Sequence, residues 1–146
     1  MKWKCRGHEY DDVYQKINEK KAFYLFGAGD YGKQFIHIFQ SEIQIKGYID
    51  NDPAKQGIKI GGKSCYSLED IDLKEDEAII ITMSQIARIE PIEQLNKVGY
   101  KKDDNYFIIE EFLSVYYVYK RNKVYFSSIS FLPSTACNLN CKNCLN

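Results

Sequence analysis

"KAFYLFGAGDYGKQFIHIFQSE", residues 21–42, is the stretch on which the fold turns. Ala22 to Phe26 form an unbroken apolar and aromatic run that ends at Gly27, the pattern of a strand buried on both faces. Beyond the glycines, Phe35, Ile36 and Phe39 recur at helical spacing. Strand, turn and helix therefore follow one another without a gap. Reading outward, "IQIKGYID" (43–50) gives a second strand ending at Asp50, "EAIIIT" (77–82) a third and "NYFIIE" (105–110) a fourth. "SQIARIEPIEQLNKVG" (84–99) reads as a helix that Ser84 caps, Pro91 bends and Gly99 ends, and "SLEDI" (67–71) as a helical turn capped by Ser67. "NDPAKQG" (51–57) is a loop by composition. Upstream, Asp11 and Asp12 open a short amphipathic helix, "DDVYQKINEKK" (11–21), with Val13, Tyr14 and Ile17 on one face. "FLSVYYVYKRNKVYF" (112–126) reads as a mostly apolar helix or strand leaving the domain. Strands alternating with helices give an α/β class with a doubly wound, mainly parallel sheet.

Composition bounds the rest. The chain has 146 residues, 45% of them apolar, and a formal net charge of zero, enough for one ordinary core. Lysines and glutamates alternate, as in "KINEKK" and "DLKEDE", so no basic face is expected and nucleic acid is excluded as a partner. No apolar run approaches the length of a membrane span, and "MKWKCRGHEY" lacks the apolar core of a secretion signal. A cytoplasmic protein with no membrane partner is the expectation, and a homodimer is compatible with it. Cys5 and Cys65 read as plain thiols.

"GAGDYG" carries the most informative local chemistry. Gly27, Gly29 and Gly32 complete G-x-G-x-x-G between a strand and a helix, the context in which the pattern has meaning. Gly27 permits the tight turn, Gly29 admits a pyrophosphate against the backbone, Gly32 lets helix and strand approach, and the helix N-terminus directs its N–H groups at the anion. Ala28, Asp30 and Tyr31 complete the loop, with Asp30 placing a negative charge near the phosphates or capping the helix. Asp50, at the end of the next strand, is placed to accept ribose hydroxyls and repel a 2′-phosphate, which favours NAD over NADP. Gly27, Gly32 and Lys33 also begin a P-loop pattern, but Gln34 stands where magnesium needs a hydroxyl. Tyr116 and Lys120 in "YYVYK" match a Y-x-x-x-K pair without the serine that should accompany it, and His8 and His37 have no acid or nucleophile at a meaningful spacing.

"FGAGDYG", "GYIDNDPAKQG" and "GGKSCYSLEDI" together resemble the Rossmann-like nucleotide-binding domain at the front of sugar-modifying proteins such as sugar acyltransferases and sugar-nucleotide dehydratases. The likeness spans Ala22 to about Glu110. It implies that Gly27, Gly29, Gly32, Asp50, Asn51 and Asp52 face a nucleotide or nucleotide-sugar, and it carries over no catalytic residue.

The C-terminal "FLPSTACNLNCKNCLN" (131–146), entered by "VYFSSISFL", resembles the start of a radical S-adenosylmethionine enzyme. Cys137, Cys141 and Cys144 stand in C-x3-C-x2-C, in which three thiolates bind three irons of a [4Fe–4S] cluster and leave the fourth for S-adenosylmethionine. Asn143 departs from the aromatic residue common before the third cysteine, and no barrel follows. A zinc site would lack a fourth ligand.

The expected organisation is an N-terminal helical segment over 1–21, a Rossmann-like domain over 22–119, and a linker with the start of a truncated catalytic domain over 120–146. The function it implies is a nucleotide- or nucleotide-sugar-binding accessory domain of a radical S-adenosylmethionine enzyme, inactive by itself. The alternative is a small NAD-dependent oxidoreductase or a sugar-nucleotide dehydrogenase-like domain, which lacks an identifiable proton donor.

Overall fold

The computed structural model describes residues 10–125. The elements run α1 (Asp11–Glu19), β1 (Ala22–Phe26), α2 (Asp30–Phe39), β2 (Ile45–Ile49), β3 (Lys59–Ile60), β4 (Lys63–Tyr66), β5 (Glu77–Ile81), α3 (Ile89–Val98), β6 (Tyr106–Ile108) and α4 (Ile109–Arg121). The six strands form one sheet in the order β3-β4-β2-β1-β5-β6. All neighbours are parallel except the β3–β4 hairpin. β1 lies at the centre because its five residues are all buried, as are the five of β5 beside it. Strands so apolar are stable only with both faces covered.

Alternation along β1 sorts its side chains to the two faces. Phe23 and Leu25 join Phe35, Phe39 and Phe112 in one core, while Tyr24 and Phe26 join Ile49, Ile79, Ile81 and Leu95 in the other. The first core lies under α2 and α4 and the second under α3, so the sheet is doubly wound. Chain order reverses between β1 and β5: the chain moves from β1 outward to β2 and β4, then returns to β5 on the other side. Such a reversal leaves a crevice at the C-terminal strand ends, because the flanking helices depart to opposite faces.

Three elements differ from the sequence reading. The segment read as leaving the domain is helix α4, whose Phe112, Leu113, Val115 and Tyr116 are buried against the sheet. Its aromatic side is too large to stay in water, and the face between α1 and α2 accepts it. "GIKIGGKSCY" holds a hairpin, with Gly61 and Gly62 both at positive φ in the turn. The helix expected from Ser84 begins only at Ile89. Ser84 Oγ accepts a bond from the Ala87 N–H at 3.4 Å in the preceding turn, and Pro91 falls in the first turn of α3, where its missing N–H costs nothing.

Candidate nucleotide-binding crevice

The glycine loop sits at the chain reversal. Gly27 has φ +114°, and a β-carbon there would approach Met83 Cγ to 2.9 Å and the Thr82 carbonyl to 3.0 Å. The residue after β1 is therefore glycine for conformation and for space together. Thr82, buried at the end of β5, donates its hydroxyl to the carbonyls of Phe26 (3.1 Å) and Gly27 (2.9 Å) and so ties the loop to the neighbouring strand. Gly32 is a packing glycine: a β-carbon would fall 2.2 Å from the Gly27 carbonyl and 3.0 Å from Tyr48 Cε1. Gly29 differs from both. It caps α2 with no side-chain bond, and a β-carbon placed on it meets nothing within 4 Å.

Gly27, Gly29, Asp30, Tyr31, Asp50 and Lys55 line a cleft of about 350 Å³, closed on the other side by Thr82, Met83, Ser84 and Ala87. The first N–H groups of α2, which have no intrahelical acceptor, lie at this cleft. Ala28 is 2% exposed and meets the cleft only through its backbone neighbours. Tyr31 is 58% exposed at the mouth.

Asp50 is held inward. Its Oδ2 accepts the Ala28 N–H at 2.9 Å and the Lys55 ammonium at 3.0 Å, and its Oδ1 accepts the Asp52 N–H at 3.0 Å. Burial opposes the charged form, but these backbone donors and Lys55 outweigh it and hold the carboxyl below the ordinary aspartate range. The carboxylate thus locks the loop after β1 to the loop after β2. Asp52 accepts the Ala54 N–H at 3.0 Å and stands 3.9 Å from the Lys55 ammonium, on the outside of the turn. Asn51 faces away from the glycine loop, toward α3, with Nδ2 3.5 Å from Glu90 Oε1.

Lys55, Thr82 and Met83 were missed in the sequence. "NDPAKQG" offers a lysine five residues after Asp50, a spacing that has meaning only once the turn brings Nζ back onto the carboxylate. A second, larger cleft of about 650 Å³ lies beyond the same turn, between residues 67–71 and α3. Asn51 and Gln56 line it, while their chain neighbours Asp50 and Lys55 line the first cleft.

Residues singled out for other chemistry lie elsewhere. Tyr116 donates its hydroxyl to Glu42 Oε2 at 3.1 Å, on the α4 side of the sheet, and Lys120 donates to Asn18 Oδ1 at 2.7 Å. His37 is exposed on α2 and Cys65 is a buried free thiol. Cys5, His8, Cys137, Cys141 and Cys144 lie outside the described residues. Among the described residues there is no group of three or more metal-ligating side chains, and no helix long and apolar enough to cross a membrane.

No curated protein matches the chain. Two solved structures of RSP, a Rex-family repressor, are similar to it. The first shares 17% identity over 77% of this chain, with a TM-score of 0.43. The second, RSP in complex with beta-NAD+ and operator DNA, shares 16% identity over 77% of this chain, with a TM-score of 0.42. The chain spans 66% and 64% of the lengths of those two chains. The complex with operator DNA overturns the exclusion of nucleic acid drawn from charge alternation. Alternation along a sequence does not fix charge in space: Lys20, Lys21 and Lys120 line one cleft of this fold together with a single carboxylate, Glu42, although Lys120 is about a hundred positions from the other lysines; Lys21 is also paired with Asp76. The model of one family, C2185-like, N-terminal, matches residues 18–106, well over half of the chain, and covers β1 to the start of β6. The chain belongs to the C2185-like N-terminal family.

Proposed function

We propose that this chain is a nucleotide-binding module that holds the phosphates of a nucleotide or nucleotide-sugar over the loop from Gly27 to Gly32. The observation that carries the reading is Gly29. It alone of the three loop glycines has open space where a side chain would be, and it begins a helix whose first N–H groups are directed at that space. Lys55 supplies a cation at the edge of the same cleft. Asp50 fixes the loop with both carboxylate oxygens bonded within the protein, while Asn51 turns toward the second cleft and Asp52 to the outside of the turn.

Calorimetric titration of the full chain with NADH and with a uridine-diphosphate sugar tests this reading. At least one ligand should bind, and Gly29→Val should reduce its affinity more than tenfold by filling the anion space while leaving the fold intact. Equal affinity in parent and variant would sink the reading.

The spacing of Cys137, Cys141 and Cys144 supports a second reading, that the module serves a radical S-adenosylmethionine enzyme as an accessory domain. Anaerobic reconstitution with iron and sulfide should then give an absorbance band of a [4Fe–4S] cluster that is lost in Cys137→Ala. Retention of the band in that variant, or no band in the parent, would remove the support.

A further inference from the structure

We propose that the cleft between residues 67–71 and α3 is a base-reading pocket for a 6-aminopurine, with Gln94 and Glu90 recognising the amino edge. This rests on the phosphates lying at the glycine loop.

The two clefts lie on either side of the turn after β2 and are lined by neighbouring residues of the chain. Asp50 and Lys55 line the first and Asn51 and Gln56 the second, while Ala87 faces the first and Glu90 the second. One molecule with phosphates in the first cleft can therefore place a base in the second. The larger cleft has apolar sides for a flat ring: Leu68 and Ile71 on the connection after β4, and Val98 on α3. Leu68 and Ile71 belong to the rim of the core on that face.

The polar groups of this cleft select for donors. Gln94 donates Nε2 to Glu90 Oε1 at 3.3 Å, and this fixes the amide orientation, since the flipped form would set two acceptors together. Gln94 Oε1 is then left buried, without a hydrogen-bond donor among the described residues. An acceptor in that state is costly to maintain, and a small turn of the side chain into the cleft would pass it to a ligand N–H. Glu90 Oε1 receives only two long contacts, from Asn51 and Gln94, so its carboxylate also keeps acceptor capacity. Two acceptors on one wall suit the amino group of adenine and disfavour the carbonyl that replaces it in hypoxanthine. The pairing of a glutamine side chain with an amino-bearing adenine edge is well matched in geometry. Asp50, by contrast, has both carboxylate oxygens engaged within the protein, so discrimination falls to α3 and not to the end of β2.

Titrating the full chain with ADP, NADH, IDP and UDP tests the proposal. ADP and NADH should bind about tenfold or more tightly than IDP and UDP. Gln94→Leu should bring ADP down to the affinity of IDP, and its unfolding midpoint should equal or exceed that of the parent, because an unpaired acceptor has been removed. Glu90→Gln, at an exposed position, provides a second variant and should weaken the same preference. Equal binding of ADP and IDP by the parent, or a preference unchanged in both variants, would overturn the base-reading pocket and leave phosphate binding at the glycine loop standing. Failure of all four ligands to bind would overturn both.

Discussion

Single residues in the crevice divide into those that pack and those that face outward, and the division is testable. Gly32→Ala sets a β-carbon 2.2 Å from a backbone carbonyl, so α2 must move away from β1. We expect a loss of about 1–3 kcal/mol, measured by urea unfolding. Gly29→Ala meets no atom and should change stability by no more than about 0.5 kcal/mol. If Gly32→Ala were as stable as the parent, the close approach of helix and strand would be wrong. Asp50 makes a pH-dependent prediction. Its carboxyl titrates below the ordinary value of 3.8, so the unfolded chain takes up the proton first as pH falls. The stabilisation is complete above about pH 5 and is lost as pH falls below the ordinary value. Asp50→Asn should flatten this part of the acid-unfolding curve and lower stability at pH 7. An unchanged curve would mean that other carboxylates carry the acid limb.

At the scale of elements, α4 is the piece whose role the sequence hid. Its apolar residues are legible, but "FLSVYYVYKRNKVYF" has no marker that separates a docked helix from an exit segment. Docking depends on partners distant in sequence. Phe112 meets Phe23, Phe35 and Phe107, and Tyr116 reaches Glu42, to which Arg121 is also bound. Phe112→Ala should cost about 3–5 kcal/mol by chemical denaturation, since a fully buried ring leaves a cavity between helix and sheet. Tyr116 gives a subtler signal. Burial and the bond to Glu42 push its hydroxyl up to about 12. The folded state keeps the proton that the unfolded chain releases near pH 10, so this contribution is present below pH 10 and fades as pH rises toward 12. Tyr116→Phe should remove that alkaline slope. A slope unchanged in the variant would assign it to another tyrosine. The β3–β4 hairpin was legible in principle, for "GG" between "KI" and "KS" is a two-residue turn signal, but strands this short carry too little alternation to stand out.

At the scale of the whole molecule, one sheet carries two cores that do not touch through side chains. Ile36→Val in the core under α2 and Ile81→Val in the core under α3 should each cost about 0.5–1.5 kcal/mol. Their sum should hold within about 0.5 kcal/mol in the double variant. Unfolding should stay a single transition, because both cores depend on β1 and β5; two transitions would show that the faces unfold separately. The sequence by itself determined the buried strands, the glycine turn between β1 and α2, and hence a doubly wound sheet, because apolar runs and glycine spacing are local and each has few physical solutions. It also placed Asp50 at a strand end. Only the tertiary structure decided that this carboxylate turns inward to the Ala28 N–H and Lys55, that Thr82 from a distant strand holds the loop, and that Oε1 of Gln94 lies without a donor beside a second cleft. A side chain's partners depend on which strand ends the sheet order brings together, and sequence neighbours do not specify that order.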